Sequence, residues 1–168
     1  MTSAWRRVLC CPKIFERRAN NLAPVKIDYN YTPLPADQNT IRLVDIRPTG
    51  DSRQPIQCFM RPVQLSSKPE YAALSYVWGG ATFDYEITVN GASFPITASL
   101  HQALIAFRKS GRVTIWVDQI CIDQANVAER IQQVRLMTSI YQQCDHVFIS
   151  LLGGLAKQND DFYLIQLL

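Results

Sequence analysis

A chain of 168 residues, 48% apolar and 18% charged, can bury one sizeable core but hardly two. Its longest apolar runs, such as Val147 to Leu152, are far too short to span a bilayer, and no long apolar segment marks a secretory leader. The net charge of +3 is uneven: Arg6, Arg7, Lys13, Arg17, Arg18 and Lys26 against Glu16 give residues 1–26 a net +5 and leave −2 for the rest, so the body lacks the basic stripe of a nucleic-acid binder.

Residues 1–26 read as a basic, poorly ordered arm. The alternative is weak peripheral membrane contact, with Cys10 and Cys11 acylated as a second signal beside the basic patch. The other cysteines, Cys58, Cys121 and Cys144, form no CxxC pair, and His101 and His146 do not complete a zinc set. A reduced, cytoplasmic protein without metal or cofactor is expected.

Residues 27–168 are expected to form one domain. Between residues 20 and 70, seven prolines separate short apolar stretches such as Ile41-Arg42-Leu43-Val44, which predicts short strands and loops. Ala73-Leu74-Ser75-Tyr76-Val77-Trp78, stopped by Gly79-Gly80, predicts a buried strand. Ile87 to Ile96 around Asn90-Gly91 predicts a β-hairpin, and Pro95, which lacks an N–H, places its second arm at a sheet edge.

A helix is expected from Ser99, with Gln102 at capping-box spacing, Leu100, Ala103, Leu104 and Phe107 on one face, and Gly111 at its end. Val113 to Val117 reads as a strand covered on both faces and closed by Asp118. Asn126 should cap a long helix, with Glu129 returning a bond to the cap's own N–H. Val127, Ile131, Val134, Thr138 and Tyr141 are expected as the packed face of that helix, widened by Met137, Ile140 and Cys144. A strand from Val147 to Leu152, a turn at Gly153-Gly154 and a helix from near Asp160 follow.

Alternating strands and helices predict an α/β fold with a mostly parallel sheet flanked by helices, an added β-hairpin and short N-terminal strands. Because the expected last helix stops on Leu167 and Leu168, we expect a truncated domain prone to self-association.

In such a sheet, ligands bind outside the carboxyl ends of the strands. Those ends carry Tyr76, Trp78, Gly79 and Gly80, then Asp118, Cys121, Asp123 and Gln124, with Glu129 and Arg130 opening the next helix. The glycines permit close approach to the backbone, and Asp118, Asp123 and Glu129 offer carboxylates for hydrogen bonding or proton transfer, with Asp118 and Glu129 the catalytic candidates. Each has a plain structural counterpart: Asp118 and Asp123 as loop caps, Glu129 as a capping-box partner, Cys121 as an inert small hydrophobe, and Tyr76 and Trp78 as wall aromatics.

Three blocks, Tyr71 to Gly79, Ile115 to Gln124 and Glu129 to Met137, resemble in order and spacing the motifs of the fungal heterokaryon incompatibility (HET) domain. The resemblance covers roughly Tyr31 to Leu152. It departs at Gly80, Gln119 and Asp123, where the family often has a polar or acidic residue, a small residue and Asn. The resemblance implies an effector or signalling module of nonself recognition and programmed cell death, working with protein partners. Through the family's distant similarity to TIR domains, it also implies a TIR-like or Rossmann-like sheet and, as an alternative activity, NAD glycohydrolase-like cleavage with NAD as substrate. An inactive fragment of a longer HET protein is the remaining alternative.

Overall fold

A computed structural model describes residues 28–35, 39–49, 51, 53–80, 82–109, 114–150 and the backbone of 163–165. In chain order its elements are β1 (Thr40–Ile46), β2 (Gln57–Gln64), β3 (Ala72–Tyr76), β4 (Tyr85–Val89), β5 (Ala92–Ile96), α1 (Ala98–Lys109), β6 (Thr114–Trp116), α2 (Asp118–Cys121), α3 (Val127–Gln143), β7 (His146–Ser150) and β8 (Tyr163–Ile165). The strands form one sheet in the order β5-β4-β2-β1-β6-β3-β7-β8.

The sheet is mixed, which corrects the expectation of a mostly parallel one. Four of the seven described pairings are antiparallel (β1 with β2 and β6, β4 with β5, β7 with β8), and three are parallel (β2 with β4, β3 with β6 and β7). The reason is connectivity. A parallel neighbour needs a long crossover, and among the described residues the α-helices stand between β3 and β6 (α1) and between β6 and β7 (α2 and α3). The described residues of the proline-rich stretch before Tyr71 supply no such helix, and β1 and β2 fold back on each other.

The hairpin forms as the sequence predicts. Asn90 and Gly91 take φ values of 50° and 83°, the left-handed conformation that a two-residue turn requires. The Asn90 side chain also continues the sheet: its Oδ1 accepts from Met60 N at 2.8 Å and its Nδ2 donates to Met60 O at 3.0 Å, where β4 has ended. Pro95 lies on β5, at the sheet edge.

Both long helices form, but their details differ from expectation. The cap of α1 is Thr97, whose carbonyl accepts from His101 N at 3.0 Å and whose Oγ1 lies 3.4 Å from Leu100 N. Ser99 is already inside the helix, and its hydroxyl donates to the Trp78 carbonyl at 2.8 Å. Asn126 does cap α3, accepting from Glu129 N at 3.1 Å. The Glu129 carboxylate takes the N–H of Asp123 at 2.8 Å instead of that of the cap residue.

The packed face of α3 also changes. Val127, Ile131 and Val134 are 56%, 49% and 54% exposed, while Glu129, Gln133 and Ile140 are buried. In the first half of the helix, polar side chains turn inward because the sheet offers them partners: Arg42 for Glu129, and the Thr40 carbonyl, 2.9 Å from Gln133 Nε2. In the second half, the core takes Ile140, with Leu136, Met137, Tyr141 and Cys144 packed against it.

In place of the helix expected from near Asp160, Tyr163–Ile165 forms β8, paired antiparallel with β7. A Tyr-Leu-Ile triplet has high β-propensity, and this pairing covers a strand edge otherwise left with open hydrogen-bonding groups. The basic arm, the Gly153-Gly154 turn and the remainder of the expected last helix lie outside the described residues.

Candidate functional site

The structure divides the expected site into two clusters, one at each end of the single-turn helix α2. The first gathers at the carboxyl ends of β3 and β6. Trp78 Nε1 donates to Asp118 Oδ2 at 2.9 Å, and Asp118 Oδ1 accepts from the N–H of Gln119 at 2.7 Å. Burial holds the Asp118 carboxyl above its ordinary value, against the opposing pull of those hydrogen bonds. Tyr76, the last residue of β3, sits beside this carboxylate, and burial together with the Asp118 charge makes its phenol harder to ionise.

The loop after Trp78 is shaped by glycine at one position. Gly79 has φ +74°, a conformation that L side chains rarely adopt, although an added Cβ would meet nothing closer than Ser99 Oγ at 3.5 Å. Gly80 carries no such demand: its added Cβ would meet only Thr82 Oγ1, at 3.9 Å. The carbonyl of Trp78 is held by Ser99, and Tyr85 stacks on His101 of the same helix, with ring centroids 4.4 Å apart. Helix α1 therefore anchors both ends of a loop that leaves Val77 56%, Trp78 37%, Phe83 51% and Tyr85 40% exposed.

Gln124 closes the other side. Its Nε2 donates to the Asp118 carbonyl at 3.0 Å, and its own carbonyl accepts from the exposed Arg130 at 2.9 Å. Asp123 is a loop cap, accepting from Ala125 N at 3.1 Å.

The second cluster is buried. Arg42, 3% exposed in the middle of β1, meets Glu129, 6% exposed on α3, through two parallel contacts of 2.5 and 2.9 Å. Arg42 also donates to the carbonyls of Thr32 at 2.7 Å and Cys121 at 3.1 Å, and its guanidinium lies 4.8 Å from the centre of the Tyr31 ring. Tyr31 in turn donates to the Ile120 carbonyl at 2.7 Å. Burial works against the charge on each partner, but their mutual hydrogen bonds and charges win: Glu129 is held below the usual carboxylate range and Arg42 above its usual value. Every oxygen of Glu129 already has a donor. Cys121 shares this interior, fully buried, with its thiol pushed up to about 12 by burial, which leaves no thiolate to act as a nucleophile.

Tyr76, Trp78, Gly79, Asp118 and Gln124 thus come together at the strand ends, whereas Glu129 and Cys121 lie with Arg42. The sequence reading did not single out Arg42 or Tyr31, and it placed Ser99 as a helix cap and not as the holder of the Trp78 carbonyl. A signal for Arg42 was present: a charge flanked by Ile41, Leu43 and Val44 in an apolar run requires, once buried, a partner of opposite sign. Two hollows, of about 450 and 720 Å³, lie over β1, β2 and β4, and neither is lined by Trp78 or Asp118. Among the described residues, no group of three or more His, Cys, Asp or Glu could hold a metal ion, and no helix is long and apolar enough to cross a membrane.

The family described as "Heterokaryon incompatibility protein (HET)" matches residues 71–165, which include β3, α2, α3 and the whole strand-end cluster. "Heterokaryon incompatibility protein 6, OR allele" of Neurospora crassa is 34% identical over 135 residues, covering 72% of this chain and 20% of that protein. The chain therefore spans about a fifth of the length of this relative. No solved structure is a significant match. The chain belongs to the heterokaryon incompatibility (HET) family.

Proposed function

We propose that this chain acts in fungal heterokaryon incompatibility as an effector or signalling module of nonself recognition and programmed cell death. It works in the cytoplasm by presenting the carboxyl ends of its parallel strands to a protein partner. The observation that carries this reading is the Trp78–Asp118 bridge beneath the exposed rim of Val77, Trp78, Phe83 and Tyr85. Large apolar groups held toward solvent by hydrogen bonds to a rigid helix are pre-ordered, so a partner need not supply the entropy of arranging them.

A second reading has its own support. Asp118 is a partly accessible carboxylate, harder to ionise than usual and flanked by Tyr76 and Trp78, a setting suited to stabilising positive charge as a nicotinamide leaves NAD. The likeness to TIR domains is analogy at the level of fold and adds no chemistry of its own. In this reading Asp118 is the working carboxylate, because Glu129 is already neutralised by Arg42.

Expression of the full chain in a filamentous fungal host, scored for cell death with NAD measured alongside, tests both. Docking predicts that Val77→Asp and Trp78→Ala abolish death while NAD stays constant throughout. Cleavage predicts that NAD falls before death and that Asp118→Asn prevents both. Death that persists in all three folded variants would reject the strand-end cluster as the working surface.

A further inference from the structure

Helix α3 presents an apolar seam that stands largely exposed among the described residues. Val127, Ile131 and Val134, with Thr138 continuing the line, stand at spacings of four, three and four residues, all exposed. That is the spacing of the inner positions of a two-helix coiled coil, and valine and isoleucine are the shapes that pack there as knobs into holes. The opposite face is already occupied: Glu129 and Gln133 bond to the sheet, and Ile140 lies in the core.

The flanks of the seam specify the partner. Arg130 and Arg135 occupy the two positions that border the seam on either side and are both exposed. The one acidic residue of the helix, Glu129, is turned inward onto Arg42. A second copy of this chain would set arginines against arginines whichever way the helices ran, so the charge pattern disfavours self-pairing. A membrane surface fits poorly too. Three β-branched aliphatic side chains, with no Trp, Phe or Leu among them and two flanking cations, offer little to bury in lipid.

We infer that the exposed face of α3 binds an amphipathic helix of a protein partner, whose apolar stripe packs on Val127, Ile131 and Val134 and whose acidic flanks face Arg130 and Arg135. The seam would be covered by about two turns of the partner, which places the contact among modest, reversible interfaces. Among the described residues this surface meets the strand-end cluster only at Arg130, which donates to the Gln124 carbonyl, and its test is indifferent to whether Asp118 works by docking or by catalysis.

The experiment uses the full chain and a labelled four-heptad synthetic helix with Ile and Leu at its inner positions and Glu at its flanks. A twin peptide carries Lys at the flanks, and binding is followed by fluorescence anisotropy. The acidic helix should bind and the basic twin should bind on the order of tenfold more weakly. Ile131→Asp should abolish binding, and Arg135→Glu, at an exposed position, should leave one flank of each sign and cancel the preference between the two peptides. Equal binding of the twins to the wild-type chain, or binding of the acidic helix that survives Ile131→Asp in a folded chain, overturns the proposal. So does an Ile131-dependent dimer in sedimentation, or Ile131-dependent binding to phosphatidylserine vesicles without binding to the acidic helix.

Discussion

Two carboxylates, Asp118 and Glu129, bracket one helical turn and the loop after it, yet they meet opposite environments. Glu129 is buried and matched by a guanidinium, so its charge is favoured and its geometry complete. Asp118 is half-buried, and neutral donors, Trp78 Nε1 and the Gln119 N–H, are what it receives; its charge is disfavoured, and the cluster opens onto an exposed rim. The difference separates a carboxylate that ties β1 to α3 from one held ready for a ligand or partner. Residue type alone does not make that separation, because both positions read equally well as acids at the end of a strand or the start of a helix.

The largest expected effect breaks the first member of the pair. Glu129→Gln leaves Arg42 with an uncompensated buried charge and should destabilise the fold by about 3–5 kcal/mol in urea unfolding. Arg42→Met should do comparable harm, because it strands Glu129 and the carbonyls of Thr32 and Cys121. The sum of the two single losses should exceed that of the double variant by about 2 kcal/mol, since the residues act as one unit. Additive losses would show that the ion pair is not what joins β1 to α3.

Acid should act on the same pair. Glu129 is easier to ionise folded than unfolded, so its contribution is present above the unfolded carboxyl value of about 4.3 and is lost as pH falls through the depressed folded value. Unfolding midpoints of wild type should therefore drop steeply below about pH 4, and those of Arg42→Met, in which the depression is gone, should drop less. Parallel curves would remove Arg42 as the cause.

What was legible in the sequence was local. Asn90-Gly91 fixed a turn, Leu100 to Phe107 fixed a buried helix face, and the β-prone runs at Ala73 and Thr114 marked strands that do pair in parallel. What was not legible joins distant positions. Arg42 and Glu129 are 87 positions apart, and without the first the inward turn of the second has no reason, so periodicity alone points the apolar side of α3 at the core. Strand direction failed for the same cause: β1 lies beside β6, a neighbour fixed by the whole sheet and not by any turn between them. The strand-end cluster was legible as a location, because strand ends follow from local stops at Gly79 and Asp118, while the division between its two carboxylates was not.

A smaller effect sharpens the second member. Gly79→Ala places a side chain at φ +74° and should cost about 1–2 kcal/mol through backbone strain alone, since its surroundings have room. Gly80→Ala meets neither constraint and should stay within about 0.5 kcal/mol of wild type. Thermal unfolding of the pair checks this, and equal losses would mean that packing, not backbone conformation, shapes the loop that carries Trp78.

At Asp118 itself the expected net effect on stability is smaller than that of Gly79→Ala. Asp118→Asn removes a charge that burial disfavours but keeps one oxygen where the carboxylate offers two, so either Trp78 Nε1 or the Gln119 N–H loses its acceptor. These changes oppose each other, and the net should lie within about 1 kcal/mol of zero at neutral pH. The sign of the pH dependence follows from the raised folded value. Asp118 binds its proton more readily folded than unfolded, so its contribution is fully present below the unfolded carboxyl value and is lost as pH rises through the folded one. Asn carries no such titration. The variant should therefore compare best with wild type at pH 7 and lose ground to it as pH falls toward about 4, as read from urea midpoints at both values. A loss above about 2 kcal/mol at neutral pH would place Asp118 beside Glu129 as a structural carboxylate. A fold that tolerates the swap while cell death is abolished would mark it as the carboxylate that function needs.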